Sequence, residues 1–178
     1  MAAAQKQSRS GTPTGRTAAA RGRQTWVDAA PFQAHVAHLM AAAGLTVEAV
    51  AVLAGVQPKA ICRLMAGRDI GRPVVRRINS ELARSLLQVR NSDVRALRCR
   101  VVAAPTVVRR VRMLRSSGWS ESRLAAALQV SKPSLAALLD GTATTCTALV
   151  ALRAAAGLLA LGTAGAEELA AGILRDAA

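Results

Sequence analysis

The sequence predicts an all-α protein: two tandem small helical bundles behind a disordered basic N-terminal arm. Three observations carry that expectation. First, the chain repeats itself. Residues 45–67, LTVEAVAVLAGVQPKAICRLMAG, and 119–141, WSESRLAAALQVSKPSLAALLDG, share one pattern of small, apolar and turn-forming positions at an offset of 74 (119 − 45). Ala51 falls on Ala125, Val56 on Val130, Leu64 on Leu138 and Gly67 on Gly141, and upstream Gly44 falls on Gly118 and Pro31 on Pro105. Second, apolar residues from Pro31 onward recur at helical spacing, and nothing resembles a strand series. Third, basic groups are in large excess, with a net charge of +14 over 178 residues.

Residues 1–25 contain Lys6, Arg9, Arg16, Arg21 and Arg23, no acid and no hydrophobic periodicity, as a disordered arm would. No apolar stretch follows these charges, which argues against a signal peptide, although a transit peptide would share the composition. Trp26 and Val27 mark the start of the first bundle, expected over 26–103. Pro31 suits a first helical turn, and Phe32, Val36, Leu39 and Met40 follow at helical spacing until Gly44. Thr46 is placed to cap a helix through Ala54, with Gly55 as the turn and Pro58 opening another helix that ends near Gly67. After the basic connector RDIGRPVVRR, Asn79 caps a helix carrying Leu82, Leu86 and Leu87. Ser92 is the expected cap of the next, with Val94, Leu97 and Val101 inward. Pro105 marks the boundary, because the residue before a proline avoids helical geometry. The second bundle, 104–178, repeats the plan with helices near 106–117, 120–128, 132–140, 146–160 and 164–175.

Composition narrows the function classes. An apolar fraction of 52% excludes wholesale disorder. The longest apolar stretch, Ala148 to Leu161, is short of a membrane span and contains Arg153, so no membrane association is expected. Cys62, Cys99 and Cys146 are odd in number and lack CxxC spacing, which suggests a reducing, cytoplasmic setting without a disulfide framework or zinc site. His35 and His38 sit three apart, but no third ligand completes a metal site. No nucleophile–base constellation or phosphate-binding glycine loop is present, so neither an enzyme nor a cofactor is expected. The positive charge concentrates in the arm, in 75–104 (seven arginines against Glu81 and Asp93) and in 105–141 (six basic groups against Glu121 and Asp140), whereas the last 37 residues are nearly neutral. That bias suits a polyanion.

The repeated segment has the requirements of a helix-turn-helix, whose second helix lies in the major groove. A small residue is needed where the two helices meet, and Ala51 and Ala125 stand there. The turn residue follows four positions later: Gly55 in the first copy, and Gln129 in the second, where a side chain in a left-handed turn is strained. Val56, Ile61 and Leu64, matched by Val130, Leu135 and Leu138, would pin the second helix. On these residues the chain resembles the helix-turn-helix domains of the Cro and lambda-repressor type, over 31–67 and 105–141.

The resemblance implies base reading from the start and outer face of the second helix. In the first copy those positions are Gln57, Lys59, Cys62 and Arg63, with Arg68 just beyond; glutamine suits adenine, arginine guanine, and lysine guanine or phosphate. In the second copy they are Ser131, Lys132, Ala136 and Ala137, a set poor in donors, with Asp140 nearby. The second copy is therefore expected to grip backbone through Lys132, Arg109, Arg112 and Arg123, or to serve in packing or dimerisation. Arg72, Arg76 and Arg77 of the connector, with Arg21 and Arg23 of the arm, suit a minor groove or merely neutralise phosphate; Arg76 or Arg77 is alternatively packed on the fold. The expected function is that of a sequence-specific double-stranded DNA-binding regulator, most simply a repressor, working in the cytoplasm at the nucleoid. The layout resembles phage immunity repressors. A monomer on an asymmetric site is favoured over a homodimer. The rivals are a sequence-tolerant nucleoid-type protein and a helical adaptor that binds protein.

Overall fold

Prolines and small polar caps cut the chain into short helices. The computed structural model describes residues 25–66 and 75–162. The first strand, β1 (Trp26–Asp28), leads into three helices, α1 (Ala30–Ala43), α2 (Val47–Ala54) and α3 (Pro58–Met65). They are followed by β2 (Arg77–Asn79), α4 (Ser80–Gln88) and α5 (Asn91–Cys99). The second half runs β3 (Val101–Ala103), α6 (Pro105–Ser116), α7 (Glu121–Leu128), α8 (Lys132–Asp140), β4 (Thr145–Thr147) and α9 (Ala148–Ala160). The sequence repeat is thus a repeat of elements: α2 and α7 start 74 residues apart (121 − 47), as do α3 and α8 (132 − 58).

The helix boundaries follow local chemistry. Thr46, Asn79, Ser120, Ser131 and Thr147 each accept a hydrogen bond from a backbone N–H in the first turn of the helix they precede; such a cap contributes about 0.5–2 kcal/mol. Gly44 and Gly55 end α1 and α2 in left-handed geometry (φ 58° and 63°). Gln129 does the same after α7 with φ 52°, the only non-glycine residue of positive φ among those described. The α1–α2 turn bends the chain by 112°.

The molecule is mostly helical, yet two features correct the all-α expectation. β1 pairs antiparallel with β2, Trp26 opposite Asn79 and Asp28 opposite Arg77; β3 pairs likewise with β4, Val101 opposite Thr147 and Ala103 opposite Thr145. Each pair ties the entrance of a three-helix unit to its exit. The Ala29 N–H extends one ladder to the Arg76 carbonyl, and the Ala104 N–H extends the other to the Thr144 carbonyl, both at 2.9 Å. Three-residue strands are too short to show an alternating pattern. The expectations at three further residues are also corrected. Val101 belongs to β3 and is 63% exposed; Leu87 is 61% exposed. Helix α5 begins at Asn91, with the Asp93 carboxylate accepting the Arg90 N–H at 3.0 Å, so Ser92 is not its cap.

Two cores lie side by side. The first gathers Val36, Leu39, Val50, Ile61, Leu64, Leu86 and Leu97; the second gathers Val107, Val111, Leu114, Leu124, Leu135 and Leu138. Helix α9 serves both. Ala148, Leu149, Leu152 and Ala156 face the first core, while Val150, Ala151, Ala154 and Leu158 face the second. A helix that is apolar all round belongs between two packed layers, and α9 lies between α2 and α6. Among the described residues no single helix is long and apolar enough to cross a membrane.

Candidate nucleic-acid interface

Helix α3 is sharply two-faced. Ile61 and Leu64 are fully buried, whereas Lys59, Cys62 and Arg63, at helical spacing of three and four, share the solvent face. Gln57 precedes the helix in extended geometry, is exposed, and makes no cap bond with its side chain, which leaves its carboxamide facing solvent. Pro58 fills the first turn, where a helix has no use for the missing N–H. Arg63 sits in the last turn, where a cation complements the helix dipole.

The far end of α3 is held from α1. Gln33 donates through Nε2 to the Leu64 carbonyl at 3.0 Å and to the Val75 carbonyl at 3.3 Å, so one side chain fixes both the helix end and the return of the connector. The apolar spacing along α1 carries no sign of this role for Gln33, whose two acceptors lie 31 and 42 residues away. Arg76 and Arg77 are exposed, Arg77 within β2. Arg68, Arg72, the arm and the expected helix near 164–175 lie outside the described residues.

Helix α8 has a different surface. The Ser131 hydroxyl is occupied as the cap, accepting from the Ser134 N–H at 3.3 Å and bonded to the Ser134 hydroxyl at 2.8 Å. Lys132 and Ala136 are exposed, Ala137 is half-buried, and Asp140 is exposed at the far end. Arg109 is exposed on α6. Arg112, expected to grip phosphate, donates through Nε to the Leu139 carbonyl at 2.9 Å, holding the end of α8 as Gln33 holds the end of α3. Its guanidinium also fills the space beside Gly141, where a Cβ would come within 3.0 Å. Arg123 lies over the Trp119 ring, 4.2 Å from its centre, which orients the cation while leaving the residue exposed.

The histidines are separated by role. His35 donates through Nε2 to the Val89 carbonyl at 2.9 Å, joining α1 to the α4–α5 junction, and His38 is exposed. Among the described residues no three His, Cys, Asp or Glu side chains come together in a cluster that could hold a metal ion. Cys62 and Cys99 are exposed free thiols; burial raises the pKa of the half-buried Cys146 thiol above its ordinary value.

The residue of greatest consequence that sequence reasoning missed is Arg153. It is 9% exposed on α9 and donates to the Leu128 carbonyl at 3.2 Å, the Ala43 carbonyl at 3.0 Å and the Gln129 Oε1 at 2.6 Å. Desolvation lowers its pKa, with a smaller push from the Arg98 charge; Arg98 itself donates to the neighbouring Ala42 carbonyl at 3.2 Å. The signal was a lone charge within the apolar stretch 148–161. No protein-family model, curated protein or solved structure matches the chain significantly.

Proposed function

We propose that this chain is a sequence-specific double-stranded DNA-binding regulator, most simply a repressor, in which α2–α3 and α7–α8 act as two helix-turn-helix units of the Cro and lambda-repressor type. The observation that carries the reading is the exposed face of α3, where Gln57, Lys59 and Arg63 stand opposite the buried Ile61 and Leu64 in a chain of net charge +14. Side chains of that chemistry match base edges and phosphates in a major groove, and the short helix ahead of α3 is what crosses the backbone in such a motif. The left-handed residues Gly55 and Gln129 occupy the turn in both copies. The chain is proposed to work as a binding protein without catalysis, as a monomer on an asymmetric site, in the cytoplasm at the nucleoid.

Helix α8 supports a division of labour. With Ser131 occupied as a cap, it offers Lys132 and the exposed Ala136 for a few weak base contacts, while Arg109 and Arg123 are exposed for backbone. The test is selection of bound duplexes from a random pool. A sharp motif is expected; a flat pool would indicate a sequence-tolerant nucleoid-type protein, and absence of binding an adaptor for protein.

A further inference from the structure

The two halves are not related by a dyad. A dyad would place α4 on α7 just as α9 lies on α2, because α4 is the counterpart of α9 and α7 that of α2. Among the described residues α4 makes no comparable packing on α7. The amino acids agree. On α9 the face toward the first core is Ala148, Leu149, Leu152 and Ala156; the counterparts 68 positions earlier (148 − 80) on α4 are the half-buried Ser80 and the exposed Glu81, Arg84 and Gln88. On α2 the buried Ala49 and Val52 correspond, 74 positions on, to the exposed Arg123 and Ala126 of α7. Among the described residues each complementary surface therefore occurs once, and the joint is head-to-tail.

One polar knot locks that joint. Arg153 of the second half reaches the Ala43 carbonyl at the end of α1 while holding the Leu128 carbonyl and the Gln129 side chain in the α7–α8 turn. Gln129 in turn fits the notch left by Gly44, where a Cβ would meet its Nε2 at 2.9 Å. The end of α1 in one half is thus fastened to the turn that aims α8 in the other.

Resting on the DNA-binding reading above, we propose that Arg153 and Gln129 are positioning residues that hold α3 and α8 in one fixed, non-dyad relation, so that the chain reads two duplex segments at a single spacing and in a non-palindromic arrangement. Neither side chain touches the duplex; their effect is on the geometry of the pair.

The experiment starts from the duplex selected from a random pool. Kd is measured by fluorescence anisotropy for that duplex, for versions with the spacer lengthened by about five base pairs, half a turn, for one with the second segment inverted, and for the segment read by α3 alone. The wild-type chain should lose about tenfold in affinity when spacing or orientation changes, because Lys132 and Ala136 of α8 then face the wrong base edges while α3 stays seated. Gln129→Gly and Arg153→Met should bind the α3 segment alone as wild type does, yet discriminate the spacers several-fold less. Gln129→Gly keeps the test decisive if Arg153→Met does not fold, since glycine is at ease at φ 52°. Wild-type tolerance of the longer spacer, preference for the inverted duplex, or undiminished discrimination in folded variants overturns the proposal and leaves DNA binding standing. Absence of binding to every duplex removes the functional reading and this proposal together.

Discussion

Gln129 accepts a 2.6 Å hydrogen bond from Arg153 while its own backbone is left-handed. The first copy has Gly55 at the corresponding turn, which adopts the same conformation without a Cβ penalty. A side chain there costs about 1–2 kcal/mol, and the carboxamide repays it by giving a buried guanidinium one of its three acceptors. The second copy thus departs from the easiest turn residue where Arg153, which also binds the Ala43 carbonyl of the first half, takes an acceptor.

Arg63→Ala should weaken binding to the preferred duplex by about 1–3 kcal/mol if the guanidinium forks to a guanine. Arg63 is exposed, so the melting temperature should barely move. Equal losses on preferred and scrambled duplexes would make it a phosphate contact instead.

Deleting residues 1–24 removes five positive charges. Affinity should fall, and the plot of log affinity against log salt should become shallower while the preferred sequence stays the same. Titrations at several salt concentrations check this; an unchanged slope would mean that the arm does not reach DNA.

Leu152→Ala should lower stability by about 2–5 kcal/mol, the usual range for a cavity in a packed core. Leu152 is fully buried in the first core although it lies on the last described helix of the second half. Scanning calorimetry should show one transition for the whole molecule, shifted downward. Two separate transitions, only one of them shifted, would mean that the halves melt independently.

Cys62 and Cys99 should react with a maleimide near neutral pH well before Cys146. The raised thiol pKa of Cys146 also sets a direction in pH. The folded state holds this proton more tightly than the unfolded one, so the contribution to stability is fully present below the unfolded thiol value of about 8.5 and is lost as pH rises above it. Cys146→Ser should flatten that alkaline decline in urea melts; an equally steep decline in the variant would assign it to other groups.

What the sequence made legible was local. Thr46 and Asn79 as caps, Gly44 and Gly55 as stops, and Gln129 as a strained turn residue each depend on a few neighbouring atoms. The two-faced character of α3 was equally plain, because Ile61 and Leu64 stand one turn apart. Features that depend on distant chain were hidden. Leu87 reads as core until its helix is seen to turn that residue to solvent, and Val101 reads as helix until Thr147 pairs with it. The bond from Arg112 to the Leu139 carbonyl is hidden because that carbonyl lies 27 residues away. Arg153 meets a carbonyl 110 residues away, a relation no spacing rule reports.

The sharing of α9 between two cores has a consequence for biosynthesis. Ala49 and Val52 lie in α2, while Leu152, which shares their core, is made about 100 residues later. At about 5–20 residues per second, the first half leaves the ribosome some 5–20 seconds before the helix that completes its core. Through that interval its apolar flank is open to chaperones and proteases. Truncated products ending before α9 should be cleared quickly by the cell, and a slowly translated second half should make the full-length protein depend more on chaperones.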